Sequence, residues 1–454
     1  MNRPNNIDKI KKLTTEILCE LIKINTANPP GNELEAAKYI ADVLEDWGLQ
    51  AEVLISKGRR GNVISRIEGK RKKPSLLLLS HLDVVPAKTE EWSVDPFSGV
   101  VKDGFVWGRG AIDCKSLVAV EAVVMKLIAE SGVKPSGDLI FAATADEEKG
   151  GKAGVGWLIE KHLEKIKADY VINEGGGFSL PIRGKHIFTV QTAEKGVNWF
   201  KIKAYGTPGH GSVPGVADNA ITRMSEILKK IGGHKPKIIV TPTVKIFIRK
   251  LAEVMGYGSL SFLLTNTITA DIILDFIARK DKALAESLRA MLRMTMAPTI
   301  VKGGVKENVI PSSCETVIDC RTLPGQTVDD VIEEVKKILK GIKMWEIEFI
   351  SRGKATESPI NTPLFKVIEE TLKQYVPNCL IVPYMSTGGT DSRYFREIGS
   401  VCYGFQPIKT DLDWKEFIKM IHGVDERISI ENLMFGVKVL YDVVKRMLFN
   451  VDVF

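Results

Sequence analysis

The stretch LLLLSHLDVVP, residues 76–86, decides the fold that this chain is expected to adopt. Its four consecutive leucines are typical of a strand that is buried on both faces of a sheet. His81 and Asp83 follow the leucines closely, and burying two ionisable side chains is costly unless each has a partner. The stretch therefore predicts a buried strand whose carboxyl end carries functional polar groups.

Similar apolar strands recur along the first part of the chain, and helical patterns separate them. The predicted strands after the first are residues 139–144 and 170–173, and the predicted helices are residues 7–24, 33–47 and 116–131. Buried strands that alternate with amphipathic helices indicate an α/β fold. We expect a central, mostly parallel sheet flanked by helices.

The pattern changes near Gln191, where a second kind of domain is expected to begin. The segment VNWFKIKAYG, residues 197–206, alternates as a half-exposed antiparallel strand does. A strand at 314–322 and helices at 220–231 and 328–339 complete an inserted α+β sandwich. The α/β pattern returns after Pro363 and ends in a long helix at 430–447.

The chain is therefore predicted to form two domains, since 454 residues exceed what one core usually supports. Residues 1–193 and 356–454 form the two parts of a catalytic domain. Residues 194–355 form an inserted lid or dimerisation domain.

Composition excludes several classes of partner. Lys and Arg number 63 against 56 Asp and Glu, and this small excess forms no basic arm for nucleic acid. The most apolar stretch, residues 260–278, is interrupted by polar groups, so we predict a helix packed on protein and no membrane partner. Six cysteines without a CxxC pair and no apolar signal core indicate a cytoplasmic protein.

Acidic residues and histidines recur where predicted strands end or turns begin. They are His81, Asp83, Asp113, Glu147, Glu148, Glu174 and His422. In open α/β sheets ligands bind at the carboxyl ends of strands, so these groups are expected to share one cleft. The set exceeds the needs of one catalytic zinc and suits two divalent ions about 3.5–4 Å apart. Zinc is the expected metal, with cobalt or manganese as substitutes.

Other interpretations of the same residues exist. A histidine at a strand end is commonly just hydrogen-bonded, and the adjacent acids Glu147 and Glu148 could form a solvated turn. A glycosidase-type pair of carboxylates would leave His81 and His422 unexplained. The joint pattern favours a metal site, in which one acid stays off the metals and accepts a proton from water.

Eight motifs carry a resemblance to a known family. In chain order they are SHLDVVP, GRGAIDCKS, TADEE, INEGG, GTPGHGSVP, ENVIP, GGTDSRYF and HGVDERI. The chain is similar, over nearly its whole length, to the dinuclear zinc amidohydrolases. These include aminoacylase, carboxypeptidase G, carboxypeptidase S, acetylornithine deacetylase and succinyl-diaminopimelate desuccinylase.

The resemblance implies a role for each of these residues. One metal would be held by His81, Asp113 and Glu174, and the other by Asp113, Glu148 and His422, with Asp113 as the bridge. Glu147 resembles the general base, and Asp83 resembles the carboxylate that orients His81.

The resemblance also implies substrate contacts. His210 would polarise the scissile carbonyl, reaching in from a partner subunit of a homodimer, and Asn308 would contact a carbonyl or carboxylate. Arg393 would bind the substrate α-carboxylate. Arg321 would contact substrate or, as an equal alternative, form a salt bridge on the lid surface. The stretch 235–302 is longer than in compact members and leaves the dimer mode and acyl pocket open.

The predicted function is metal-dependent hydrolysis of the amide bond in N-acyl amino acids or short peptides. A water that bridges the metals would attack, with Glu147 as the base. The alternatives are a biosynthetic deacylase acting on acetylornithine or succinyl-diaminopimelate, and an inactive binding homologue. The last is disfavoured because Glu147 and every ligand are present.

Overall fold

The structure, a computed structural model, describes residues 4–258 and 261–449 and divides the chain into two compact units. The first unit comprises Met1–Thr192, Ser358–Tyr384 and Thr390–Phe454, and the second comprises Ala193–Glu357 and Met385–Gly389. The short segment Met385–Gly389, which we assigned to the catalytic domain, therefore belongs to the second unit.

The secondary structure alternates between helices and strands along most of the chain. The helices are α1 (Pro4–Lys23), α2 (Glu33–Asp46), α3 (Lys115–Glu130), α4 (Val155–Ile166), α5 (Ala220–Gly233), α6 (Pro242–Val254), α7 (Ser261–Leu264), α8 (Ala270–Ala278), α9 (Lys282–Leu292), α10 (Val328–Ile338), α11 (Pro363–Tyr375), α12 (Ser392–Glu397), α13 (Trp414–Met420) and α14 (Ile430–Phe449). The strands are β1 (Ala51–Lys57), β2 (Arg60–Ile67), β3 (Leu76–His81), β4 (Val101–Lys102), β5 (Phe105–Trp107), β6 (Leu139–Thr144), β7 (Tyr170–Asn173), β8 (Ser179–Ile182), β9 (Lys185–Glu194), β10 (Gly196–Tyr205), β11 (Gly209–His210), β12 (Thr295–Gly303), β13 (Val309–Ile310), β14 (Ser313–Thr322), β15 (Trp345–Phe349), β16 (Thr356–Glu357), β17 (Leu380–Ser386), β18 (Val401–Gly404) and β19 (Arg427–Ser429).

The first unit is built on a twisted sheet with strand order β1-β2-β6-β3-β7-β18-β9. The central strands β6, β3, β7 and β18 pair in parallel. The pairs β1–β2, β2–β6 and β18–β9 are antiparallel. The predicted α/β fold and parallel sheet are thus confirmed for the central strands, and the outer strands run antiparallel.

The leucines of β3 explain why the centre of the sheet has no alternating pattern. Leu76 and Leu78 pack with α1, α3, α11 and α14, whereas Leu77 and Leu79 pack with α4 and α12 on the other face. All four are buried, and burying a leucine stabilises a fold by about 1.5–3 kcal/mol. Helices on both faces therefore fix the strand and the position of the residues that follow it.

The second unit contains an antiparallel sheet with strand order β12-β14-β10-β15. Helices α5 and α10 share one hydrophobic core with its inner face, which includes Phe200 and Ile202 of β10. Trp199 on the opposite face is 43% exposed. This is the predicted α+β sandwich.

The long stretch 235–302 forms helices α6 to α9 and most of β12. The prediction of a single packed helix for residues 260–278 is wrong, because α7 and α8 are separate short helices. Ala270 and Leu274 of α8 are buried, but Ile272 is 67% exposed. Leu260 lies outside the described residues. Within the described ranges, no helix is both long enough and apolar enough to cross a bilayer.

Candidate metal centre

The carboxyl edge of the central sheet in the first unit carries the predicted site. His81 is the last residue of β3, Glu147 and Glu148 follow β6, and Glu174 follows β7. Because β6, β3 and β7 are parallel neighbours, their carboxyl ends meet at one edge, where α/β sheets bind ligands.

Asp113 lies between two histidines, in the loop that precedes α3. Its Oδ1 is 3.0 Å from His81 Nε2, and its Oδ2 is 3.1 Å from His422 Nε2. Glu148 Oε1 is 3.3 Å from the same nitrogen of His422. A carboxylate whose two oxygens face two imidazoles is placed to bridge two cations.

The chemistry of these donors fits divalent cations. Potential ligand atoms of Asp113, Glu148 and His422 all lie within 4.8 Å of one another. Glu148 Oε1 is buried and, among the described residues, has no hydrogen bond of acceptable geometry. Imidazole nitrogens and carboxylate oxygens that converge in this way are typical zinc, cobalt or manganese ligands.

The electrostatics of the cluster point the same way. The carboxylates of Asp113 and Glu148, which face the imidazole, raise the pKa of His422 to about 10. Although burial opposes the shift, hydrogen bonds from His422 and His81 lower the pKa of Asp113 below its usual range. Without a cation these carboxylates attract protons to the histidines, and a bound metal would displace those protons.

Glu147 and Glu174 lie close enough to influence each other. Burial raises the pKa of Glu147 well above its usual value, and nearby carboxylates, Glu174 among them, add to the effect. Cys114 also lies within ligand distance of His81 and Asp113. Burial raises the pKa of Cys114 to about 12.

Asp83 contacts His81 through a different group from the one we expected. The backbone oxygen of Asp83 is 2.9 Å from His81 Nδ1, whereas its carboxylate Oδ1 is 3.6 Å away. The carboxylate instead accepts the backbone N–H groups of Glu147 at 3.0 Å and Glu148 at 3.1 Å. The side chain of Asp83 therefore fixes the turn that carries Glu147 and Glu148, while its carbonyl orients the imidazole.

Glu426 is a site residue that the sequence patterns did not identify. It is fully buried and accepts the backbone N–H groups of Ile112 at 2.6 Å and Asp113 at 2.9 Å. Its other oxygen pairs with Arg109 at 2.7 Å. The only signal in the sequence was a carboxylate four positions after His422, within the motif HGVDERI.

Arg393 lies beside the turn that carries Glu147. Its Nη2 donates to the backbone oxygen of Gly150 at 2.7 Å, and its guanidinium lies 4.9 Å from the ring centre of Tyr394. The buried Asp391, from the same motif, was not singled out from the sequence. Burial raises its pKa to about 7.

The other predicted substrate residues lie in the second unit. Strand β11, which ends in His210, pairs with β13, and Gly211 N–H donates to the backbone oxygen of Asn308 at 2.8 Å. The structure thus brings His210 and Asn308 together, and both are exposed. Arg321 donates from Nε and Nη2 to the two carboxylate oxygens of Asp319, in the same strand, at 2.6 and 3.0 Å. This contact is the kind of salt bridge that we gave as the alternative role of Arg321.

Comparisons with known proteins show what the chain is similar to. Residues 77–446 match the family described as peptidase family M20/M25/M40. The chain is 29% identical over 372 residues to the N-fatty-acyl-amino acid synthase/hydrolase PM20D1 of Xenopus tropicalis, with 78% of this chain and 69% of the relative covered. It is 26% identical over 412 residues to carboxypeptidase S of Saccharomyces cerevisiae, with 81% and 70% covered. Among solved structures, the M20 family metallo-carboxypeptidase Sso-CP2 from Sulfolobus solfataricus has a TM-score of 0.73 at 21% identity and covers 95% of this chain and 98% of its own.

Proposed function

This chain belongs to peptidase family M20/M25/M40 and is a metal-dependent hydrolase, and we propose that it hydrolyses the amide bond of N-acyl amino acids or short peptides. The observation that carries the proposal is Asp113, whose two oxygens each face a histidine. The names of the relatives, a fatty-acyl-amino acid hydrolase and a carboxypeptidase, agree with an acyl group linked to an amino acid.

Two divalent ions, zinc with cobalt or manganese as substitutes, are the proposed cofactors. The ligands are His81, Asp113 and Glu174 for one ion, and Asp113, Glu148 and His422 for the other. When bound, such a pair supplies Lewis acidity to a carbonyl oxygen and makes a water more acidic.

Glu147 is the proposed general base. It accepts a proton from the attacking water and donates it to the leaving nitrogen, a role that typically contributes 10²–10⁴-fold to rate. Its backbone N–H donates a hydrogen bond to Asp83, so the position of the Glu147 side chain depends on the carboxylate of Asp83. The backbone N–H of Glu148 also donates to Asp83, and the Glu148 carboxylate is the proposed metal ligand.

Arg393 is the proposed contact for the α-carboxylate of the substrate. A guanidinium can bind a carboxylate through two parallel hydrogen bonds. The contact with Gly150 holds the Arg393 side chain against the turn of the base. This role implies a preference for substrates with a free carboxyl group.

His210 is the proposed contact for the scissile carbonyl and Asn308 the proposed contact for a carbonyl or carboxylate, and we propose that His210 acts in trans within a homodimer. The outermost strand of the second sheet supports a dimer. Residues 297–303 of β12 are exposed, with Ile300 at 50% and Val301 at 58%. An exposed apolar edge strand is a template for pairing with a second chain. A cytoplasmic location is proposed from the six cysteines, which include no CxxC pair.

The test is a substrate panel assayed with the metal-stripped protein and with protein reloaded with zinc, cobalt or manganese. The panel contains N-acetyl and N-fatty-acyl amino acids, dipeptides, acetylornithine and succinyl-diaminopimelate. We expect metal-dependent release of amino acids from several N-acyl substrates or peptides. Turnover confined to acetylornithine or succinyl-diaminopimelate would replace the proposal with a biosynthetic deacylase, and no turnover with any metal would reject it.

A further inference from the structure

Asn28 is a buried side chain, only 2% exposed, in the segment between α1 and α2. Its Nδ2 donates to Asp83 Oδ2 at 2.8 Å and to Asp146 Oδ1 at 3.2 Å. Its Oδ1 accepts a hydrogen bond from Arg60 Nη2 at 2.8 Å. The amide therefore uses both its donor and its acceptor groups inside the first unit.

The two carboxylates that Asn28 joins both shape the turn after β6. Asp83 accepts the N–H groups of Glu147 and Glu148. Asp146 immediately precedes Glu147, has a left-handed backbone with φ of 72°, and accepts the N–H of Ala153 at 2.9 Å. Asn28 thus contacts both of the carboxylates that hold the turn carrying Glu147 and Glu148.

An amide is well suited to this position because the two carboxylates repel each other. Asp83 is fully buried and Asp146 is 8% exposed, so water screens little of that repulsion. The Asn28 amide carries two N–H donors, one for each carboxylate. Arg60 lies 3.4 Å from Asp146 and 2.5 Å from Glu33, and it orients the amide by donating to its oxygen.

We propose that Asn28 is a positioning residue that ties Asp83 to Asp146 and so sets the placement of Glu147 and Glu148. It acts through the backbone of these two residues, by way of Asp83. The inference rests on the proposed function only where it assigns Glu147 as the base. The consequence for metal retention also requires Glu148 to be a metal ligand, whereas the consequence for amide exchange follows from the contacts of Asp83 alone.

The test compares Asn28→Ala with Asn28→Asp. Substitutions behind a metal site typically cost 10–100-fold in activity or metal affinity. We expect kcat to fall about 10-fold for Asn28→Ala and about 100-fold for Asn28→Asp, with KM nearly unchanged. The isosteric variant should be worse because it places a third anion against Asp83 and Asp146. If Asn28 served packing alone, kcat should fall more in Asn28→Ala than in Asn28→Asp, because truncation leaves a cavity.

Two readouts do not depend on turnover. Metal release to a chelator should be faster in both variants, and backbone amides 147 and 148 should exchange with solvent faster. Asn432→Ala is the matched control, because Asn432 is also buried, accepts the N–H of Lys409 and donates to Ser429. It should leave kcat, metal release and exchange at 147 and 148 unchanged.

The proposal is overturned if Asn28→Asp keeps at least half of the wild-type kcat and releases metal no faster than Asn432→Ala. If Asn28→Asp does not fold, the same comparison with Asn28→Ala decides. Should the unmodified protein hydrolyse no substrate of the panel, the proposed function fails on its own. Metal release and amide exchange then still support or overturn the role of Asn28.

Discussion

Substitution of Glu426 by Gln should loosen the loop that presents Asp113 to the metals. Glu426 accepts N–H groups from Gly110, Ile112 and Asp113 and pairs with Arg109, which is 3% exposed. Glu426→Gln turns one accepting oxygen into a donor that faces other donors, and it leaves a buried guanidinium without its counter-charge.

The expected cost follows from these contacts. Removing one partner of a buried ion pair destabilises a protein by about 3–5 kcal/mol. Substitutions behind a metal site also lower metal affinity by about 10–100-fold. We therefore expect Glu426→Gln to lower the free energy of unfolding of the metal-free protein by about 3 kcal/mol or more. Metal affinity should fall by at least about tenfold.

The assay combines denaturant unfolding of the metal-free protein with chelator competition for metal. The double variant Arg109→Met/Glu426→Gln is the control, since removing both charges should recover part of the stability. The recovery should not extend to metal affinity, because the loop still lacks its acceptor. A loss below about 1 kcal/mol together with unchanged metal affinity would refute this role of Glu426.

Three further predictions concern the reaction. Glu147→Gln should keep both metals but lower turnover by about 10²–10⁴-fold, whereas Glu148→Gln should lower metal content; the opposite pattern in metal analysis would mean that the pair is assigned backwards. Arg393→Ala should abolish the preference for a free α-carboxylate over its amide in steady-state kinetics, and equal turnover of both by the wild type would contradict the assigned contact. Mixing inactive His210→Ala and Glu147→Gln chains under subunit exchange should restore activity, since one site of each mixed dimer is intact; exchange without activity would place His210 in its own chain or outside catalysis.

Three of the four central strands could be predicted from the sequence because burial on both faces demands continuous apolar runs. Strands β3, β6 and β7 are of this kind, and their ends revealed His81, Glu147 and Glu174. Strands β1 and β2 carry no such run and were not predicted. Short apolar runs were thus sufficient to predict these strands, and the polar residues that follow them were sufficient to predict the ligand types at the edge of the sheet.

The supporting residues could not be predicted because their partners are distant in the chain. Glu426 and Asp113 are 313 positions apart, and Asn28 and Asp83 are 55 apart. No periodicity links such pairs, and only the folded arrangement makes them neighbours. For a related reason the sequence could not tell which group of Asp83, carbonyl or carboxylate, lies nearest the His81 ring.

The measurement that tests the central claim most directly is the metal content of the purified, zinc-saturated protein, by elemental analysis alongside hydrolysis of the best substrate in the panel. We predict two ions per chain in the wild type, loss of both in Asp113→Ala because it removes the shared ligand, and no hydrolysis after chelation. One ion or none in a wild-type protein that still hydrolyses its substrate would contradict the two-metal account.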